Sequence, residues 1–160
     1  MYKKLLGVIL SIILVCCMTG CDEIKADSPA GETYATQNKV SALEYNIYMN
    51  KQIQIFINQI SSRMGIARNI SEGSQVDNEY SLALESAKVM QETYDETATV
   101  YPSNGSDDER ESTLLAMSTA IAHMEAYAED VNKGNSVDGY VKDFENDFNQ
   151  LTSLANFYNQ

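Results

Sequence analysis

Residues suited to catalysis or metal binding are few in this 160-residue chain. It contains one histidine, His123, and three cysteines, at positions 16, 17 and 21. His123 falls near a predicted apolar helix face, where a histidine could serve as a general base or a metal ligand. The Glu-x-x-His pattern of di-iron bundles would need a carboxylate at position 120, which is Ala120. We therefore interpret His123 as a boundary or surface residue.

The densest group of possible cation ligands is an acidic cluster formed by Asp107, Asp108, Glu109 and Glu111. Calcium binds such oxygens, but an EF-hand loop places its ligands at alternate positions around a central glycine and ends in a glutamate. The cluster lacks that pattern, and acidic residues in the first turn of a helix are favoured by the helix dipole. We expect a structural role for it, with weak Ca²⁺ binding as the alternative.

A second group of acidic residues alternates near the C-terminus, at Asp143, Glu145 and Asp147. Helical residues are rotated by about 100° from one to the next, so neighbours two apart point away from each other and do not form one chelate. We interpret these three as the solvated side of a helix. The face shared by Asp143 and Asp147 is a possible docking surface for a cationic partner.

The sequence lacks the motifs that indicate common enzyme classes: the nucleophile elbow, the Walker loop, the dinucleotide fingerprint and the zinc-protease helix. No pattern places a base beside a serine, and every cysteine lies at or before position 21. The sequence after position 21 therefore offers almost no residues for nucleophilic catalysis that depends on cysteine or histidine. We predict a protein that is not an enzyme and carries no cofactor.

The N-terminal segment begins with Lys3 and Lys4 and continues as an apolar run over residues 5–18. This run is shorter than the roughly 20 residues that a helix needs to cross a bilayer. A positive start followed by a short apolar run is typical of a secretory signal, and the lysines stay on the cytoplasmic side.

The segment ends in Met18, Thr19, Gly20 and Cys21, which resembles the lipobox of bacterial lipoproteins: an apolar residue, two small residues and an obligatory cysteine. Met18 is a less usual first residue. The resemblance covers residues 1–21 and implies that a diacylglyceryl group is attached to the Cys21 thiol, with cleavage just before it. Two acyl chains give stable membrane attachment. The alternatives are an ordinary signal peptide cut elsewhere and an uncleaved N-terminal anchor.

The charge of the predicted mature chain limits its partners. Without Lys3 and Lys4, nine basic residues remain against 23 acidic ones, a net charge of about −14. Such a chain is repelled by nucleic-acid phosphates and by anionic lipid headgroups. We therefore predict no nucleic-acid partner, and we expect the lipid to hold the protein on the extracytoplasmic face of the cell membrane.

Composition predicts three parts: a signal peptide over 1–20, the lipidated cysteine with a flexible tether over 21–37, and a helical domain over 38–160. Pro29 and Gly31 interrupt regular structure in the tether. A flexible chain of that length spans on the order of 20 to 25 Å. The domain has no cysteine for a disulfide, so we expect its stability to come from packing.

Four helices are predicted in the domain because apolar residues recur there in steps of three and four. The expected bounds are about 38–68, 75–100, 107–132 and 136–158, and the apolar positions include Leu43, Ile47, Leu84 and Phe144. A glycine followed by a capping residue separates the last three helices from what precedes them, at Gly73-Ser74, Gly105-Ser106 and Gly134-Asn135.

Short connections make sequential helices antiparallel, so the sequence predicts an all-α fold, an up-down four-helix bundle. Gly65 could end the first helix early, and a three-helix core with an additional packed N-terminal helix is the alternative. For function, we predict a non-catalytic module that binds another envelope or exported protein. The alternative is a module that binds a small ligand or a divalent cation.

Overall fold

The computed structural model describes residues 38–103 and 108–160. All of them belong to one compact unit, Ala35–Gln160. Among these residues, no helix has both the length and the apolar character that a membrane crossing requires.

Four helices and two short strands make up the described part of the chain. In chain order they are β1 (Asn38–Val40), α1 (Ala42–Ser71), α2 (Glu79–Ala98), β2 (Val100–Pro102), α3 (Asp108–Lys133) and α4 (Asp138–Phe157). Helix α1 packs against α2 and α4, and α3 packs against the same two helices. The predicted all-α four-helix bundle is thus confirmed.

The first helix differs from its prediction at both ends. It begins after Ser41, whose hydroxyl accepts the Glu44 N–H at 3.3 Å while the Glu44 carboxylate accepts the Ser41 N–H at 3.1 Å. It also continues through Gly65 to Ser71, past the predicted end at about residue 68, so Gly65 does not end the helix early. Ile60 and Ala67, on either side of Gly65, are fully buried, and burial of that face offsets the roughly 1 kcal/mol that a helical glycine costs.

The two strands were not predicted, and they form a parallel pair. Asn38 lies opposite Val100 and Val40 lies opposite Pro102, and the Ser103 N–H donates to the Val40 carbonyl at 2.9 Å. Since β1 precedes α1 and β2 follows α2, the pair closes one end of the bundle. Pro102 cannot continue a helix and disfavours helical backbone at Tyr101, so α2 cannot extend through this segment.

Arg110 holds this end together from α3. Its guanidinium donates to the carbonyls of Ala98 at 2.7 Å and Val100 at 3.2 Å. It also lies 4.0 Å from the centre of the Tyr101 ring, a cation–π distance. A cation at the carbonyl end of α2 satisfies orphan acceptors and complements the helix dipole.

The predicted helix caps are partly wrong. Gly73 and Gly134 adopt the expected left-handed backbone, with φ of 89° and 68°. Helix α2, however, starts after Asn78, which also has positive φ, and α4 starts after Val137. The Asn135 side chain donates to Asp130 instead of capping α4. The predicted cap at position 106 lies outside the described residues.

Most of the predicted apolar positions lie in the core or pack against it, but four of them are wrong. Leu43 is 71%, Ile47 61% and Leu84 43% exposed, and Tyr80, also expected on the apolar face of the second helix, is 38% exposed. The buried face of α1 includes Met49 and Ile53. Ile47 lies two residues before Met49 and therefore points to the opposite side of the helix, at about 100° per residue.

Candidate functional site

The residues predicted for lipid attachment and signal cleavage, which are Met18, Thr19, Gly20 and Cys21, lie outside the described residues, as does Asp107 of the acidic cluster. Asp108 is the first residue of α3. Glu109 is half-buried and Glu111 is exposed. In the ranges that the structure describes, no three His, Cys, Asp or Glu residues are arranged to hold a metal ion.

The structure brings His123 of α3 together with Asp147 of α4. His123 Nδ1 lies 2.8 Å from Asp147 Oδ2. The imidazole side chain is 33% exposed, whereas the carboxylate side chain is 4% exposed. Burial raises the pKa of Asp147, and the hydrogen bond and charge of His123 act in the opposite direction.

The prediction that Asp147 is solvated is therefore wrong. Asp147 lies three residues after Phe144 and four before Leu151, both fully buried, so it belongs to the core face of α4. The spacing by itself indicates a buried position. The residue type indicates the opposite, because unpaired aspartate is almost never fully buried.

A buried carboxylate that orients an imidazole is also the arrangement that holds a histidine general base. The hydroxyl of Thr119, one turn before His123 on α3, donates to the Leu115 carbonyl at 2.9 Å. This hydroxyl, on the turn before His123, thus donates to a main-chain carbonyl and not to the imidazole. The geometry accounts for the His123–Asp147 pair as a polar contact that joins α3 to α4.

We expect the two members of this pair to differ in their effect on stability. Replacing His123 with alanine leaves the Asp147 carboxylate buried without its partner, and it should lower the free energy of unfolding by about 1–3 kcal/mol. Asp147→Leu should cost less, because the partly exposed imidazole can be hydrated. Urea unfolding of both variants measures the difference, and equal losses would contradict this account.

A second polar network joins three helices around Glu79, the first residue of α2, which is 1% exposed. Arg63 Nη1 of α1 donates to Glu79 Oε2 at 2.7 Å, and the Tyr127 hydroxyl of α3 donates to Glu79 Oε1 at 3.0 Å. Burial raises the pKa of Glu79, with Tyr127 and Arg63 opposing that shift. Burial and the charge of Glu79 also raise the pKa of Tyr127.

Glu79 was not predicted as a core residue, although its spacing in the sequence indicates a buried position. Glu79 lies four residues before Ala83 and eight before Ala87, and both alanines are buried. Its spacing is that of a core position, but an acidic residue at a helix start is expected to be exposed, where it favours the dipole.

An aromatic cluster connects this network to the loop between α3 and α4. The Tyr127 ring meets the rings of Tyr140 and Phe144 edge to face, at centroid distances of 5.6 and 5.3 Å. The Tyr140 hydroxyl donates to Asp130 Oδ2 at 2.7 Å, and Asn135 Nδ2 donates to Asp130 Oδ1 at 2.8 Å. Burial, together with the hydrogen bond to Asp130, raises the pKa of Tyr140 to about 12.

An open hollow of about 390 Å³ lies beside this cluster, between the α1–α2 and α3–α4 connections. We call it the end hollow. Its lining combines the apolar side chains of Ile70, Val76, Val131 and Val137 with the polar side chains of Ser74, Gln75, Asp77 and Asn135 and the backbone of Gly134. A concave surface of this composition can contact an apolar group and a polar or charged one together.

In the described part of the chain, the buried carboxylates of Asp147 and Glu79 join helices through their partners, and an open concave surface lies at one end of the bundle. Comparison of the chain with protein families, with curated proteins and with solved structures finds no match.

Proposed function

We propose that this protein is a lipid-anchored lipoprotein on the extracytoplasmic face of the cell membrane, whose helical bundle binds another envelope protein without catalysing a reaction. The observation that carries the proposal is the N-terminal pattern: a positive start, a short apolar run, two small residues and Cys21.

The contacts within the bundle support a binding role over a catalytic one. The described groups best suited to acid–base chemistry, His123 with Asp147 and Glu79 with Tyr127, are hydrogen-bonded across helices. Groups used in this way stabilise the packing of the bundle. The surface carries many exposed acidic side chains, which favour an encounter with a cationic partner.

Metabolic labelling with an alkyne-bearing fatty acid tests the anchor in bacterial cells that express the full chain. We expect Cys21→Ala to abolish the label, because Cys21 is the only thiol left after cleavage. Cys16→Ala and Cys17→Ala are matched controls that should keep the label, since both lie in the apolar run that is removed. Mass spectrometry of the N-terminal peptide should find a diacylated cysteine.

Retention of the label in Cys21→Ala, or an unmodified N-terminus in the wild-type protein, would refute the anchor. The binding role is tested separately, by formaldehyde crosslinking of intact cells followed by detergent extraction. We expect discrete crosslinked species that contain a second envelope protein. Recovery of this chain alone would count against the binding role.

A further inference from the structure

We propose that the end hollow docks a segment of the partner protein that presents an aliphatic side chain flanked by lysine or arginine. The inference rests on the proposed function, because it assigns a surface and a chemical class of partner to that same binding role.

The end hollow lies far from the N-terminal side of the bundle, which is the side that the proposed lipid anchor holds. The chain enters the bundle at β1, next to the start of α1. Ile70, in the last turn of α1, and Ser74, just after that helix, line the hollow at the other end of α1. A helix of 30 residues is about 45 Å long, so the hollow is remote from the point where the chain enters.

The loops around the hollow are held by hydrogen bonds within the protein. The N–H groups of Gly73 and Ser74 donate to α1 carbonyls, each at 2.9 Å. On the other side, the Asn135 N–H donates to the Asp130 carbonyl at 2.9 Å, and the Asn135 side chain binds the Asp130 carboxylate. A concave surface that is already ordered loses less entropy when a partner segment binds.

The negative charge around the end hollow favours a cationic segment. Asp77 lines it, and Glu72 and Asp138 lie within two residues of lining positions along the chain. None of these three carboxylates has an ion-pair partner among the described residues. The nearby cations Arg68 and Lys133 already form ion pairs with other glutamates. The aliphatic floor of Ile70, Val131 and Val137 accommodates an apolar side chain between such flanking charges, and complementary charge speeds and orients the encounter.

Site-specific photo-crosslinking in cells tests this, with p-benzoylphenylalanine placed in the full chain at Gln75, an exposed lining residue. The same group at exposed Lys88, on the side of α2, is the control. We expect a partner crosslink at Gln75 that is absent at Lys88, and a crosslinked peptide with an aliphatic residue beside lysine or arginine. Asp77→Lys should lower the yield roughly tenfold, whereas Glu85→Lys should not.

Any of three results would overturn the docking proposal: equal crosslinking at both positions, a crosslinked peptide without a basic residue, or a yield that Asp77→Lys leaves unchanged. Crosslinking to lipid or to a second copy of this chain would also overturn it.

Thermal unfolding confirms that each variant folds, and Asp77→Asn replaces Asp77→Lys if the latter does not. An acylated protein that gives no crosslink refutes the hollow alone, whereas a crosslink without acylation refutes the anchor alone.

Discussion

Replacing Glu79 with leucine is expected to lower the free energy of unfolding by about 3–5 kcal/mol, because it leaves the Arg63 guanidinium without its partner in the interior. The side chain of Arg63 is only 14% exposed, so water cannot fully replace the lost carboxylate. The Tyr127 hydroxyl also loses its acceptor. Domains of this size are stable by roughly 5–15 kcal/mol, so urea unfolding should show a large shift of the midpoint.

A double variant separates the value of the ion pair from the cost of breaking it. Arg63→Met combined with Glu79→Leu removes both charges and keeps apolar volume, and such replacements of buried pairs are often neutral or stabilising. We therefore expect the double variant to be more stable than Glu79→Leu alone. If the second substitution lowered stability further, Glu79 would owe its importance to something other than its pairing with Arg63.

The raised pKa of Glu79 adds a dependence on pH. The folded protein binds a proton at Glu79 at a higher pH than the unfolded chain does, so protonation there favours folding. This contribution is complete below the ordinary value of 4.5 and is lost as pH rises through the raised pKa. Glu79→Gln cannot take up the proton. The stability advantage of the wild-type protein over Glu79→Gln should therefore grow between pH 7 and pH 5, and a constant difference would contradict the assignment.

Phe144→Ala should also be costly, with an expected loss of about 3–5 kcal/mol. The Phe144 side chain is fully buried and meets the Tyr127 ring edge to face, so truncation leaves a cavity and removes an aromatic contact. Phe157 lies on the same helix but is 41% exposed. Phe157→Ala is thus a matched control that should cost about 1 kcal/mol or less.

Urea unfolding of the two phenylalanine variants compares the same chemical deletion at two positions of α4. Equal losses would mean that Phe157 is covered in the folded protein, or that Phe144 lies in a region that collapses around the cavity. The comparison therefore checks the rotation of α4 about its axis, which also decides whether Asp147 faces the core.

Local patterns in the sequence were sufficient for the number and order of the helices. The apolar spacing predicted all four, and the left-handed glycines at Gly73 and Gly134 were located correctly. The strands β1 and β2 could not be predicted in this way. Each is three residues long, and each exists because it pairs with a segment about 60 residues away in the chain, which no local pattern records.

The sequence by itself determined that this chain is a bundle of four amphipathic helices, because helical periodicity is a local property of neighbouring residues. The N-terminal pattern predicts an anchor in the same local way. Only the tertiary structure decided which polar residues enter the core. Whether Glu79 and Asp147 are buried depends on how each helix is rotated against its neighbours, and on a partner from another helix that compensates the charge.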